Sequence, residues 1–417
     1  MDSYDIIIVG SGMAGLYSAF TIQQKSPNTS FLILEKYKKN WIGGRASNDQ
    51  FYGSEVVTGA GIGRRRKDKI LHHLVKYFQL PTKNFEVNPT LLTSYPDFPV
   101  KDTIQYLRKE YKKHNSKYQG MTFKQFGEDV LGYKFYKMFV ESLGYTDYEK
   151  EDVYETLYHY GLEDNTCCWN AFSVPWKKLV QSLYQSIGEK HFEFSSKVTK
   201  IVDTKRTADE TPGDFSLLIN TENGKQYQCN KLILATTIDT VRELLPLPIY
   251  NDIESQPFLR LYAKFNKESA LILKRYIHGF TFVSTSLQRL LPTDPNNGVY
   301  MIAYNDNKNT LALKDHLQNT KENRTFFEEL VERTLQLPKG TLHIISLKPY
   351  YWKVGTHYYK PLNRKLYQSR EEFIYQAQHP EKNILVVGEM ISMNQGWTEG
   401  ALESVKTALT KAWITRS

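Results

Sequence analysis

The chain has 417 residues, of which 41% are hydrophobic, so it is long enough for two globular domains and excludes a disordered protein. Its formal net charge is +9, but the basic runs at 63–69 and 108–118 accompany no nucleic-acid-binding motif, and we interpret them as solvated surface. The sequence contains no signal peptide and no apolar run of membrane-spanning length, and its three cysteines have neither disulfide-framework nor metal-site spacing. We therefore expect a cytoplasmic protein without nucleic-acid, membrane or metal partners; the oligomeric state stays open.

The N-terminal segment is typical of a βαβ unit. In YDIIIVGSGMAGLYSAFTIQQK a buried strand, a glycine turn and a helix follow one another, and FLILEKY forms the next buried strand. Gly10, Gly12 and Gly15 form G-x-G-x-x-G between the strand and the helix, and Glu35 closes the second strand. These glycines allow a tight turn, a close approach of backbone to a pyrophosphate, and helix packing, while Glu35 can accept both ribose hydroxyls. The unit predicts dinucleotide binding, with NAD and FAD both open.

A second glycine pair favours FAD. Gly43 and Gly44 follow Glu35 closely and precede Arg45, which can balance pyrophosphate charge. An FAD molecule needs such a second contact because it continues past the pyrophosphate into a ribityl chain and an isoalloxazine ring.

The middle of the chain changes character twice. A helix is predicted for KILHHLVKYFQL, and residues 100–190 are helix-like, most clearly in TFKQFGEDVL and WKKLVQSLYQSI. Strands follow in KVTKIVDT, FSLLINT and KLILATT, with turn signals at Thr211-Pro-Gly and Asn223-Gly. Near the C-terminus, ILVVGEM is a buried strand and ALESVKTALTKAW a closing helix. We expect both ends of the chain to complete one sheet.

The stretch QGWTEGALES places Trp397 between two glycines at the start of a helix. A tryptophan in such a turn either packs in the core or faces a flat ligand.

Three segments, GSGMAGL, LEKYKKNWIGGRA and VVGEMISMNQGWTEGALES, resemble the flavin-containing amine oxidase family of monoamine, polyamine and L-amino acid oxidases. They lie at both ends in the expected order, so the resemblance covers essentially the whole chain. The short length and the abundance of Lys, Asn and Tyr also resemble family members carried by large DNA viruses. The resemblance implies an α/β fold with a Rossmann-like FAD-binding domain of the glutathione-reductase type and an inserted α+β substrate-binding domain. We expect the first at 1–80, 190–240 and 383–417, and the second, with a helical insertion, at 81–189 and 241–382.

The resemblance also implies site residues. Val198 would meet the adenine, Gly388 and Glu389 the ribityl and pyrophosphate, and Trp397 would form one wall of an aromatic cage over the flavin. Further cofactor-binding positions implied by the resemblance are Met13, Ala14, Lys36, Gly59, Ala60, Gly61, Ile62, Thr398 and Ala401.

The second cage wall is left open between His357 and Tyr359 in YYWKVGTHYYKPL. No cysteine follows Cys229, so the FAD is expected to be bound non-covalently. Arg260 stands where the family usually has a lysine bridged by water to flavin N5, which puts fast use of O₂ in doubt. A shifted register could restore a lysine through Lys264.

The resemblance implies oxidation of a small-molecule amine, a monoamine or a polyamine, by hydride transfer to flavin N5, with O₂ as acceptor. The alternatives are an L-amino acid oxidase, a desaturase or isomerase on the same fold, and a non-catalytic flavoprotein. Ile62 occupies the place of the arginine that amino acid oxidases carry, and Arg64 to Arg66 come just past it, which is evidence against amino acids. A polyamine site needs carboxylates, and Glu141, Asp147 and Glu151 are available in the helical insertion.

Overall fold

The computed structural model describes residues 1–204 and 215–415, so the predicted turn at Thr211 lies outside the described residues. The strands, in chain order, are β1 Asp2–Val9, β2 Phe31–Leu34, β3 Asn48–Phe51, β4 Ser54–Val57, β5 Ile62–Arg64, β6 Asn84–Val87, β7 Thr90–Leu92, β8 Trp169–Ser173, β9 Phe192–Glu193, β10 Val198–Asp203, β11 Leu217–Thr221, β12 Gln226–Leu234, β13 Ile253–Phe265, β14 Thr281–Val283, β15 Arg289–Asp294, β16 Val299–Asp306, β17 Ile344–Tyr359 and β18 Ile384–Val386. The α-helices are α1 Met13–Lys25, α2 Lys69–Tyr77, α3 Val100–Lys113, α4 Asn115–Tyr118, α5 Phe123–Leu131, α6 Tyr133–Leu143, α7 Val153–Tyr158, α8 Trp176–Ile187, α9 Ile238–Leu244, α10 Lys267–Leu273, α11 Asn307–Leu313, α12 Lys321–Thr334, α13 Arg370–Gln378, α14 Thr398–Ala408 and α15 Lys411–Thr415.

The first sheet joins both ends of the chain. Strands β9, β2, β1 and β12 lie side by side in parallel. One half of β12 then pairs in parallel with β18, and the other half pairs antiparallel with β11, which carries β10 at its outer edge. The predicted α/β fold, with the N-terminal and C-terminal strands in one sheet, is therefore confirmed.

Helices cover both faces of this sheet. Ile6 and Ile8 pack towards α1, α2, α8 and α14, whereas Ile7 and Val9 pack towards α9 and α13. Because alternate residues of β1 point to opposite faces, burial of both faces explains why this strand is apolar throughout.

Helix α8 packs on the domain that contains the first sheet. It contacts α1, and Leu179 and Leu183 belong to the core that α1 shares with the first sheet. The expected boundary at residue 189 had assigned this helix to the substrate domain. We therefore propose that the chain returns to the first domain at Trp176.

A second sheet has the order β17, β13, β16, β15, β14 and β7, and its core lies against α10 and α12. The helical insertion, α3 to α7, has a core of its own that includes Leu107, Phe123, Phe126 and Phe139. A smaller sheet, β5, β8 and β6, contains one strand, β8, within the part of the chain predicted to be helix-like.

The closing helix is interrupted, although the sequence predicted it as continuous. Helix α14 ends at Ala408, and α15 begins at Lys411. The hydroxyl of Thr410 accepts a hydrogen bond from the Trp413 backbone N–H, so this residue starts a new helix rather than continuing the old one. Within the described residues, no helix is both long and apolar enough to cross a membrane.

Candidate functional site

The glycine turn between β1 and α1 has little room on one side and open space on the other. A Cβ on Gly15 would lie 1.9 Å from the Gly10 carbonyl oxygen, and one on Gly10 would lie 2.5 Å from the Ala235 carbonyl oxygen. At Gly12, in contrast, a Cβ would meet no atom within 4 Å. Helix α1 has no side-chain cap and no acidic residue in its first turn. Its first N–H groups therefore suit an anion approaching past Gly12.

Glu35 is held at the edge of this turn. Its carboxylate accepts hydrogen bonds from the Ser11 backbone N–H at 2.8 Å, the Ser11 hydroxyl at 2.7 Å and the Tyr37 N–H at 2.9 Å. The Glu35 carbonyl accepts from Ser196, two residues before Val198, while Lys36 is exposed. The structure thus brings Gly10 to Gly15, Glu35 and the start of β10 together.

The second glycine pair lies on the first. The Gly43 N–H donates to the Ser11 carbonyl at 2.9 Å, and a Cβ on Gly44 would lie 3.6 Å from Gly12 Cα. Both glycines have positive φ, of 93° and 59°. Arg45 follows them and donates from Nη1 to Glu389 Oε1 at 2.9 Å.

Glu389 connects distant parts of the chain. Besides Arg45, it accepts from His357 Nδ1 at 2.6 Å and from the Gly396 N–H at 3.0 Å. Burial alone would raise the pKa of Glu389, but the charges of His357 and Arg45 together with these hydrogen bonds lower it to about 2. The donors expected from a ribityl chain are here supplied by protein groups, which fix a carboxylate beside the start of α14.

Both candidates for the second cage wall, His357 and Tyr359, are buried. The His357 ring is buried between Glu389 and the Ile238 N–H, which lies 3.4 Å from Nε2. The Tyr359 ring packs on Phe373 at 5.6 Å in the core of the first sheet. Residues 357 and 359 share one face of β17, and that face packs towards the core, so the second cage wall stays a prediction.

Trp397 contacts a guanidinium instead. Helix α14 begins directly after Trp397, as predicted, and Arg64 Cζ lies 3.9 Å from the indole centroid. Arg64 is buried and pairs with Asp68 at 2.7 Å and Asp164 at 3.2 Å. Among the described residues no aromatic ring pairs with Trp397. The sequence signal for this contact, three consecutive arginines, did not reveal which one turns inward.

The helix that follows Trp397 is tied to α2. The Glu399 carboxylate accepts from the Ile70 and Leu71 N–H groups at 2.7 and 2.9 Å. Gly400 is required by close packing, because a Cβ there would lie 2.1 Å from the Asn394 carbonyl oxygen. Thr398 is half-buried, and Ala401 is buried against the first domain.

Arg260 is a buried cation at the other side of the site. Its Nε donates to the Gly59 carbonyl at 2.7 Å, and Nη2 would lie 2.9 Å from a Cβ on Gly61. Its Cζ lies 4.1 Å from the Tyr304 ring centroid, and no carboxylate within the described residues lies within 4.0 Å. Lys264 does not replace it, since its ammonium binds Asn297 instead. Ala60 and Ile62, half-buried, belong to the same glycine-rich segment.

The three carboxylates of the helical insertion differ in their surroundings. Glu141 lies against Ser94 and Ser284, and Glu151 is buried against Thr156. Asp147 keeps part of its surface accessible and accepts a hydrogen bond from Tyr160 at 2.6 Å.

A sequence model of the flavin-containing amine oxidoreductases matches residues 13–408. The chain belongs to this family. FAD is its cofactor, and Cys229, the last cysteine of the sequence, is buried in β12. A cyclohexylamine oxidase from Brevibacterium oxydans shares the fold with a TM-score of 0.73 and 14% identity, over 99% of this chain and 98% of that one.

Two further comparisons found similar proteins. A triple mutant of putrescine oxidase made to redesign cofactor binding has a TM-score of 0.72 and 13% identity, with 98% of both chains covered. An uncharacterised protein of Acanthamoeba polyphaga mimivirus is 37% identical over 57 residues, which are 14% of this chain and 11% of the viral protein. At such identities the solved structures show the fold of this amine oxidoreductase, and the viral match is a short one.

Proposed function

We propose that this protein oxidises a small-molecule amine at the carbon next to nitrogen. The substrate gives up a hydride and a proton and becomes an imine, which water hydrolyses, and O₂ takes the two electrons with two protons to form hydrogen peroxide. FAD supplies the hydride acceptor, N5 of its isoalloxazine ring. The observation that carries the proposal is the meeting of the glycine turns, the Glu389 network and the Trp397 helix start in one place.

The residues present fit FAD. The open space at Gly12 and the free N–H groups at Met13 and Ala14 suit a pyrophosphate, with Arg45 nearby to balance its charge. Glu35 suits a ribose and the backbone at Val198 an adenine. Along the remainder of the cofactor we assign Lys36, Gly43, Gly44, Gly59, Ala60, Gly61, Ile62, Gly388, Glu389, Thr398 and Ala401.

The reacting amine is the neutral form. Arg64 and Arg260 carry permanent charges, one against Trp397 and the other beside Gly59 and Gly61. Arg260, which has no carboxylate within 4.0 Å among the described residues, repels an ammonium group, whereas Asp68 and Asp164 balance the charge of Arg64. Hydride loss from carbon also requires a free nitrogen lone pair. The indole of Trp397 orients the substrate and excludes water from the site.

The pairing of Arg64 bears on amino acids as an alternative substrate. Two carboxylates, Asp68 and Asp164, already hold this guanidinium, so it is not free to bind the carboxylate of an α-amino acid. This favours simple amines.

The test is peroxide formation by the FAD-loaded protein with alkylamines, diamines, spermidine and L-amino acids. We expect turnover with at least one class of amine, and Trp397→Ala to lower kcat/KM by about tenfold to a hundredfold through lost orientation. Trp413→Ala, in the C-terminal helix α15, is the matched control and should leave kcat/KM unchanged. Absence of peroxide with every amine would refute the proposal.

A further inference from the structure

Two of the three cysteines are adjacent in sequence and accessible to solvent. Cys168 is exposed and Cys167 is partly exposed, whereas Cys229 is buried in β12. Burial raises the pKa of Cys229 to about 12, so this thiol stays protonated and unreactive. Reactions of thiols with small molecules in solution are therefore expected at the adjacent pair.

The backbone holds this pair at a bend between two ordered segments. A short 3₁₀ helix, Leu162–Asn165, ends before the pair, and β8 begins directly after it at Trp169. Cys168 has a φ of 74°, in the left-handed region that residues with a Cβ rarely adopt. Its N–H donates to the Val87 carbonyl of β6 at 2.8 Å. Neighbouring elements thus hold the second cysteine in a strained conformation.

A lysine lies beside one of the two thiols. The ammonium group of Lys101, in the first turn of α3, lies 3.6 Å from Cys167 Sγ. A cation at this distance favours the thiolate, which is the nucleophilic form of cysteine. A hydrogen bond to Cys167 raises the pKa of Cys168, so Cys168 keeps its proton while its neighbour is ionised. Cys167 is therefore the expected nucleophile, and Cys168 is the thiol that reacts second.

We propose that hydrogen peroxide oxidises Cys167 and Cys168 to a reversible disulfide. Hydrogen peroxide is the product of the proposed amine oxidation, and this inference rests on that function for the source of the oxidant. The reaction itself requires only the two accessible thiols and the lysine beside them. The adjacent cysteines are thus a modification site that responds to the product of the enzyme.

The oxidation has two steps. The Cys167 thiolate attacks one oxygen of the peroxide, the O–O bond breaks, and the leaving hydroxide takes up a proton to become water; Cys167 is then a sulfenic acid. Cys168 loses its proton and attacks the Cys167 sulfur, the S–O bond breaks, and a second water leaves. In total, two thiols give up two electrons and two protons, and one peroxide is reduced to two waters.

The disulfide should be easy to reduce. Neighbouring Cα atoms are about 3.8 Å apart across a trans peptide, whereas the Cα atoms of bridged cysteines usually lie about 4.4–6.8 Å apart. A bridge between neighbours is therefore strained, and strained disulfides are the more readily reduced ones. We accordingly expect a transient bond that common thiol reductants reverse.

The experiment adds hydrogen peroxide to the FAD-loaded wild-type protein without any amine. We expect two of the three thiols to disappear, with the loss of two hydrogen atoms in the mass of the peptide that contains both adjacent cysteines. Dithiothreitol should restore these thiols, and Cys229 should stay reduced throughout. Thiol titration of the denatured protein and mass spectrometry of its peptides measure both changes.

Substitutions separate the roles of the two cysteines and the lysine. Cys168→Ser should let a sulfenic acid accumulate on Cys167, where dimedone traps it, and Cys167→Ser should give much less trapping on Cys168. Lys101→Met should slow disulfide formation at least about threefold, because the thiolate loses its cation. Lys109→Met, at an exposed lysine of the same helix, is the matched control and should leave the rate unchanged. FAD absorbance and the melting temperature show that each variant is folded.

Three results with added peroxide would each overturn the inference, whatever the protein does with amines. They are thiols that persist, a bond between two chains on a non-reducing gel, and a sulfinic acid on Cys167 beside a free Cys168. These measurements use wild type alone, so they decide even where a variant does not fold.

A second arm uses an amine and air in place of added peroxide. The same disulfide should form during turnover, and catalase should prevent it; a disulfide that forms equally with catalase would contradict peroxide as the oxidant. If the protein oxidises no amine, the proposed function fails, while the response to added peroxide still decides whether the adjacent thiols form the disulfide.

Discussion

At the scale of single residues, Glu389 joins three segments of the candidate site, since Arg45, His357 and Gly396 each donate a hydrogen bond to it. Its low pKa makes it an anion under all ordinary conditions. The same charge that positions the start of α14 therefore also contributes to the stability of the fold.

Replacement of Glu389 by Gln should lower the free energy of unfolding by about 3 kcal/mol at pH 7, because it leaves buried partners without their counter-charge. The folded pKa of about 2 is below the ordinary value of 4.5, so the contribution is present above pH 4.5 and is lost as the pH falls through 2. Urea unfolding measures the free energy of unfolding of wild type and of Glu389→Gln. The difference between these two free energies should become smaller from pH 5 towards pH 2. Glu189→Gln, at an exposed ion pair, should have no measurable effect; a difference independent of pH would contradict the assignment.

We expect Arg260 to limit the rate at which O₂ reoxidises the reduced protein. Its guanidinium is fixed by the Gly59 carbonyl and the Tyr304 ring, whereas the family resemblance implies a lysine and a bridging water at this position. Arg260→Lys should speed the reoxidation of the reduced protein by at least about tenfold, through about 1.4 kcal/mol of barrier. Stopped-flow absorbance after mixing with air-saturated buffer measures it, with the exposed Arg275→Lys as control. An unchanged or slower rate would show that Arg260 does not limit the use of O₂.

At the scale of secondary-structure elements, two glycines in the turn between β1 and α1 have different expected roles, one in folding and the other in cofactor binding. Gly15 lies against the Gly10 carbonyl, whereas the space beside Gly12 is open. Gly12 also has an ordinary φ of −70°, so alanine is allowed there by the backbone.

The pair Gly15→Ala and Gly12→Ala tests this division. Gly15→Ala should destabilise the protein without FAD, by about 2 kcal/mol or more, because helix α1 must move away from the turn. Gly12→Ala should keep the wild-type melting temperature without FAD but lose FAD absorbance, since its methyl group fills the space meant for the cofactor. Equal destabilisation by both substitutions would show that the space beside Gly12 is structural.

For the molecule as a whole, local patterns were sufficient where neighbours in sequence decide the structure. The unbroken apolar run IIIV, the glycine spacing and the Gly-Trp helix start predicted β1, α1 and α14, and chain order placed both ends in one sheet. Packing between distant segments was not predictable in the same way. The face of β17 that carries His357 and Tyr359, the partner of α8, and the turn of Arg64 onto Trp397 all depend on contacts between residues far apart in sequence.

The most direct test of the account is the visible spectrum of the FAD-loaded protein during anaerobic addition of 1,4-diaminobutane and n-pentylamine. The account predicts loss of the absorbance band of oxidised FAD with an amine, at one amine per FAD, and its return when air is admitted. A band that persists with every amine, in a protein that retains its FAD, would contradict amine oxidation by this site.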